Sequence, residues 1–113
     1  MLLNQGLGPN GQVISNTTLA EIQSAQSSLY PSPNQFVRFY SPLAQQNITI
    51  NDFAYGFGWI REDYRGRQHI WHNGAVFGMN AQVSLLPDDG HAVVLFANRD
   101  QASTVLFCFV LFC

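Results

Sequence analysis

With 113 residues the chain has room for one small domain, and a domain of that size buries only about two-thirds of the surface its unfolded chain exposes. Apolar residues make up 47% of it and charged residues 11%, against roughly 25% charged in an ordinary soluble domain, which suits a segment covered by other protein. The net charge is −2, all five basic residues are arginines, and only Arg61, Arg65 and Arg67 lie close together, so the dense basic face of a nucleic-acid binder is excluded.

The start, Met1-Leu2-Leu3-Asn4-Gln5, lacks the basic segment and long apolar run of a signal peptide. Residues 4–16, with Gly6, Gly8, Pro9, Asn10 and Gly11, read as a loop or turn. Thr18 and Glu21 stand at capping-box spacing, and Leu19, Ile22 and Ala25 follow at helical spacing. Together they predict a short helix over about residues 18–27. Pro31, Pro33 and Pro42 mark residues 28–52 as a long irregular connection. Asn16-Thr17-Thr18 and Asn47-Ile48-Thr49 are N-glycosylation acceptor triplets, which suit a secreted protein without requiring one.

From residue 54 the pattern changes to strands. Ala54 to Arg61 and Arg67 to Asn73 read as two strands joined by a polar turn, Glu62 to Gly66. From Met79 to Leu86 the chain alternates, with Met79, Ala81, Val83 and Leu85 on one side and Asn80, Gln82 and Ser84 on the other. Pro87-Asp88-Asp89-Gly90 is a turn in which proline sets φ and glycine supplies a positive one. The apolar run His91 to Ala97 predicts a strand buried on both faces. Short links between these strands predict an antiparallel meander. Val105 to Cys113 is an apolar tail, far short of the roughly 20 residues that span a bilayer. It reads either as the start of a buried helix or as foreign sequence. Its two cysteines, Cys108 and Cys113, have no metal-ligand spacing and build no disulfide framework.

The residues that carry chemistry form an ordered series: Tyr55-Gly56-Phe57-Gly58-Trp59, then His72-Asn73-Gly74-Ala75 with Gly78, then Pro87-Asp88-Asp89-Gly90 and Val93 to Asn98. Over residues 1–98 this series resembles the C-terminal region of the serine β-lactamase-like family, which includes class C β-lactamases, DD-peptidases and related esterases. Met1 to Thr18 also looks like that family's helix end, loop and next helix.

The resemblance implies that His72-Asn73-Gly74 stands at the family's third motif, Lys or His, then Thr or Ser, then Gly, on the strand lining the substrate cleft. His72 would orient a substrate carboxylate or support proton transfer, and Asn73 would hydrogen-bond the substrate. Gly74 would allow close approach where a Cβ obstructs. The Ala75 backbone N–H would supply one of two oxyanion-hole donors, each worth roughly 3–4 kcal/mol. Without that context, His72 reads as a strand histidine bonded to its neighbours. His69 and His91 have no motif around them and read as surface or strand-end residues. Trp59, Trp71 and Phe57 read as core or cleft wall, and Asp88 and Asp89 as solvated turn residues.

The family's acyl transfer needs a Ser-x-x-Lys pair, and this chain has no lysine. A Tyr-x-Asn or Ser-x-Asn motif is also unmet: Tyr30, Tyr40, Tyr55 and Tyr64 all lack the asparagine, and Ser32-Pro33-Asn34 lies in a proline-rich loop in the wrong order.

The expectation is therefore an α+β fragment of an α/β sandwich. It has an antiparallel sheet of about four strands over residues 54–98 and at least one helix. Residues 1–98 would be the C-terminal portion of a β-lactamase-related domain, and residues 99–113 an apolar tail, truncated helix or foreign sequence. The function implied is part of a serine hydrolase acting on an amide, ester or β-lactam, inactive alone. Its substrate in the intact enzyme would be a small molecule or peptide. No cofactor, metal, nucleic acid or membrane span is implied, and an exposed sheet would favour self-association. Two alternatives stand beside it: a non-catalytic ligand-binding or regulatory remnant of that family, and an unrelated small antiparallel β domain.

Overall fold

A computed structural model describes residues 1–29, 50–100 and 102. The proline-rich connection, the Asn47 triplet, Ser32-Pro33-Asn34 and the tail with Cys108 and Cys113 lie outside the described residues, apart from the two ends of the connection. The described residues form an α+β arrangement: a small hairpin, one helix and a six-stranded antiparallel sheet.

Strands β1 (Leu7–Gly8) and β2 (Gly11–Gln12) pair across Pro9-Asn10. Helix α1 spans Asn16–Gln23, so it starts and ends earlier than the Thr18–Glu21 spacing predicts. Ser15, not Thr18, is the N-cap: its Oγ accepts the Thr18 N–H at 3.0 Å, which satisfies a donor that the first turn leaves open. Leu19 is the residue α1 buries.

The sheet order follows the chain: β3 (Ser27–Ser28), β4 (Ile50–Tyr55), β5 (Ile60–Tyr64), β6 (Arg67–Val76), β7 (Met79–Leu86) and β8 (His91–Ala97). The meander has two more strands than the sequence reading supplies: β3 lies in the segment read as a connection, and Ala54 to Arg61, read as one strand, is divided by a turn at residues 56–59 into the end of β4 and the start of β5. Gly56–Trp59 is a turn, closed by the Gly56 N–H donating to the Trp59 carbonyl at 2.7 Å, with Gly58 at φ 80°. The glycine at 56 is a packing requirement: a Cβ there would lie 2.7 Å from the carbonyl oxygens of both Ile22 and Ser24 at the end of α1.

The turn between β5 and β6 is only Arg65-Gly66, with φ of 56° and 77°. Positive φ at both central residues is the type I′ geometry whose twist matches the flanking strands. Glu62 to Tyr64 therefore belong to a strand, not to the polar turn the sequence suggests. Pro87–Asp89 is a 3₁₀ turn ending on Gly90 at φ 68°, as its residues predict. Asp89 is not simply solvated; it pairs with Arg67 at 2.9 Å.

Burial runs along the strands rather than across them. In β6, His69, Ile70 and Trp71 are buried, while Asn73 to Val76 are exposed. Leu85 and Leu86 join Ile70, Trp71, Tyr64 and Ala54 in the core. Strand β8 departs from the doubly buried expectation: Val94 is 54% and Phe96 82% exposed. Among the described residues it is an edge strand with one face open. No helix among the described residues is long and apolar enough to cross a membrane.

Candidate functional site

The geometry of β6 follows from its two hairpins. Residues flanking a two-residue loop form a hydrogen-bonded pair, and such pairs then alternate with non-bonded ones along an antiparallel ladder. Tyr64↔Arg67 flanks the first loop, so Arg67, His69 and Trp71 direct their N–H and C=O groups toward β5. Val76↔Met79 flanks the second loop, Phe77-Gly78, so Ile70, His72, Gly74 and Val76 direct theirs toward β7. The two loops agree in parity. Strand β5 ends at Ile60↔Trp71, whereas β6 runs on to Val76. The amides and carbonyls of Asn73 and Ala75 therefore point to an edge that no strand among the described residues covers. Both residues are exposed.

Of the residues picked out from the sequence, His72, Asn73, Gly74 and Ala75 all lie on this overhanging end of β6. Alternation splits their side chains. His72 and Gly74 share a face with their register partners Val83 and Ala81, whereas Asn73 and Ala75 share the other with Gln82 and Asn80. Only a group lying along the open edge can meet His72 and Asn73 together.

His72 is half-buried and has a partner the sequence does not announce: its Nε2 lies 3.1 Å from the Tyr55 hydroxyl, and the rings meet edge to face at 66°. Beside Gly74, on the His72 face, lies an open cleft of about 660 Å³ walled by Val76, Met79, Ala81 and Phe96. The hairpin tip is tied down at its far side. Asp100 accepts the Gly78 N–H at 2.5 Å, and the Asn80 amide donates to the Arg99 carbonyl at 2.6 Å.

On the other face the polar residues of β7 turn inward. Glu62, His69, Gln82 and Ser84 are all at most 1% exposed. Glu62 Oε1 lies 2.7 Å from His69 Nδ1, His69 Nε2 lies 3.1 Å from Ser84 Oγ, and the Gln82 amide donates to Ser84 Oγ at 3.3 Å. Glu62, His69, Ser84 and Gln82 thus form one continuous hydrogen-bonded row across β5, β6 and β7. His69 also stacks on Trp71, with ring centroids 6.3 Å apart. The expectation that His69 is a surface or strand-end residue fails here, while His91 is exposed at a strand start as expected. Carboxylate, imidazole and hydroxyl stand in the order of a nucleophilic relay, but Ser84 is 0% exposed. At that burial the row ties β5, β6 and β7 together and presents no nucleophile to a substrate. Among the described residues, the buried Nε1 of Trp71 and Oε1 of Gln82 have no hydrogen-bond partner.

Tyr55, Glu62, His69 and Ser84 are the residues a sequence reading misses. One signal was available for Glu62 and His69: once Arg65-Gly66 is read as a two-residue hairpin turn, the two stand directly opposite one another.

No family model matches the chain, and no solved structure matches it. Its sequence is similar to the unguisins hydrolase ungD′ of Aspergillus campestris, with 35% identity over 54 residues, covering 48% of this chain and 10% of that protein. It is also similar to the unguisins hydrolase ungD of Aspergillus violaceofuscus, with 29% identity over 90 residues, covering 80% of this chain and 14% of that protein. The likeness is to hydrolases. The chain spans only 10% and 14% of the length of these two relatives.

Proposed function

We propose that residues 1–98 are the C-terminal portion of a serine β-lactamase-like hydrolase domain, with the end of β6 lining its acyl-transfer site. The observation that carries this reading is the open edge of β6. An acyl or peptide group laid along it meets the Ala75 N–H as an oxyanion donor, the Asn73 side chain on one face and His72 with Tyr55 on the other. The motif His72-Asn73-Gly74 and the likeness to two hydrolases support the same reading. Gly74 leaves the approach clear, since a Cβ there would have no heavy atom within 4 Å and the space is available to a ligand.

Half of an acyl-transfer machine does not turn over. The lysine that would activate a serine nucleophile is absent from this sequence. The chain by itself binds, through the same edge, a carboxylate-bearing acyl group, and the bond-breaking step belongs to a protein that also supplies the Ser-x-x-Lys pair.

The test uses the purified 113-residue chain. Chromogenic ester and β-lactam substrates are expected to show no turnover. Titration with N-acetyl-alanine is expected to move the amide NMR signals of Asn73 and Ala75. Ala75→Pro removes the outward N–H without touching the ladder to β7 and abolishes that response. Turnover by the short chain sinks the inactivity reading. Shifts confined to residues away from β6 sink the site.

A further inference from the structure

Tyr55 and His72 stand 17 residues apart in the chain and two strands apart in the sheet, with β5 between them. The register explains how they meet. Tyr55 pairs with Ile60, Ile60 pairs with Trp71, and β5 begins at Ile60. His72 is therefore the first residue of β6 past the end of β5, and Tyr55, the last residue of β4, stands at that same end. Neighbouring strands lie about 4.8 Å apart, so β4 and β6 are separated by about 10 Å. The two side chains close that gap beyond the end of β5. The Tyr55 hydroxyl lies 3.1 Å from Nε2 of His72, and both residues are half-buried. Among the described residues that hydroxyl is the ring's hydrogen-bond partner, and Nδ1 has none.

This pairing constrains where the ring proton sits, because the protonated nitrogen of a histidine is set by the bond the other nitrogen makes. A neutral imidazole carries one N–H and one bare nitrogen, and a phenol has one proton and an accepting oxygen. Two arrangements satisfy the contact. In one, the Tyr55 O–H donates to bare Nε2 and the proton is on Nδ1. In the other, Nε2–H donates to the phenol oxygen and Nδ1 is bare. The first is the stronger bond. The aromatic ring draws density from the phenol oxygen, which makes its O–H a good donor and the oxygen a poor acceptor, whereas a bare imidazole nitrogen accepts well. When the imidazole is protonated, both nitrogens carry hydrogen and the hydroxyl turns to accept. Nδ1 then carries a proton in both forms.

We propose that Tyr55 is a positioning residue for His72: its hydroxyl occupies Nε2, keeps the ring proton on Nδ1, and makes His72 a hydrogen-bond donor to a carbonyl or carboxylate oxygen of the ligand, not a proton acceptor. The inference rests on the reading that the end of β6 lines an acyl-transfer site. It chooses between the two roles the motif allows His72, orienting an acid group or supporting proton transfer. It also narrows the ligand, since an amine finds no acceptor on this ring and an acyl oxygen finds a donor.

Long-range proton–nitrogen NMR of the isotope-labelled 113-residue chain reads the tautomer, with His72→Phe identifying that ring's signals among the three histidines. On the high-pH plateau of the same spectra, where the ring is neutral, the proton is expected on Nδ1. Tyr55→Phe keeps the aromatic ring, removes the hydroxyl and shifts the population toward Nε2–H, the form a free imidazole prefers. In the same variant the affinity for N-acetyl-alanine falls roughly three- to tenfold, the size of one hydrogen bond. A tyrosine with a merely structural role leaves the tautomer where it was, whatever happens to affinity. Wild-type His72 with its proton on Nε2 and Nδ1 bare overturns the proposal without any variant. So does a tautomer that is the same in Tyr55→Phe. A proton that sits on Nδ1 in the wild type and leaves it in Tyr55→Phe supports the Tyr55 assignment even where N-acetyl-alanine leaves β6 unmoved; the site reading alone then fails.

Discussion

Replacing Glu62 with alanine probes the buried row most directly. The Glu62 carboxylate and the His69 ring are 0% and 1% exposed at the level of their side chains, and they meet at 2.7 Å. Removing the Glu62 carboxyl leaves Nδ1 of His69 without this bond in a place water does not reach. A hydrogen bond to a charged group contributes about 1.5–3 kcal/mol, and breaking a buried pair by deleting one partner costs about 3–5 kcal/mol. The expected loss for Glu62→Ala is therefore about 2–4 kcal/mol. With a slope of about 1–3 kcal/mol per molar in urea, the unfolding midpoint falls by roughly 1–4 M. Glu62→Gln retains an oxygen that accepts from Nδ1 and loses less. The double variant Glu62→Leu/His69→Phe replaces both partners by apolar groups of similar size and recovers part of the loss, because the pair is no longer broken on one side only, while buried Ser84 still loses its bond to His69. Urea unfolding of the wild type, Glu62→Leu, His69→Phe and the double variant, analysed as a cycle, supplies the coupling energy. A single-variant loss below about 0.5 kcal/mol, or a double variant no better than the sum of its parts, refutes the network as a cross-strand tie.

Two further variants test local features. Gly56→Ala forces a methyl group within 2.7 Å of two carbonyl oxygens at the end of α1, and is expected to cost about 1–3 kcal/mol in a thermal melt, as overpacking does. Ser15→Ala removes the N-cap acceptor of α1 and is expected to cost about 1 kcal/mol, with Ser15→Asp near wild type; equal melts for the two variants would remove Ser15 from that role.

What the sequence makes legible is the part fixed by local chemistry. Alternation from Met79 to Leu86 and the turn residues Pro87 to Gly90 act within a few residues, and both features appear in the structure where they are expected. Local pattern fails where the decisive information is what lies across a strand. Polar Gln82 and Ser84 turn inward because Glu62 and His69, distant in the chain, meet them there. The apolar run of β8 looks doubly buried, but apolarity does not supply a second covering layer, and among the described residues the strand is an edge. The start of α1 shows a smaller version of the problem. Thr18 and Glu21 have the spacing of a capping box, yet Ser15 reaches the Thr18 amide first and the helix begins there. For the candidate site, the strand carrying His72 to Ala75 is readable from the motif, whereas the Tyr55 contact depends on how β4 lies in the finished sheet.

The open edge of β6 rests on parity and on length, and both are set at a distance from His72. Two-residue turns at Arg65-Gly66 and Phe77-Gly78 fix which residues of β6 bond to which side, and they agree only because ten residues separate Arg67 from Val76 inclusively. An insertion of one residue into β6 between them would break that agreement: the second loop would still hold Asn73 and Ala75 outward near the tip, and the ladder to β5 would have to take up the extra residue as a bulge. Gly78, at φ 78°, is thus a site residue in effect though it touches no candidate ligand position. It keeps the second loop at two residues, and Asp100 holds its amide from the segment after β8. The chemistry available at Ala75 is decided by backbone geometry at two turns, and the side chains of His72, Asn73 and Tyr55 then act on whatever that edge admits.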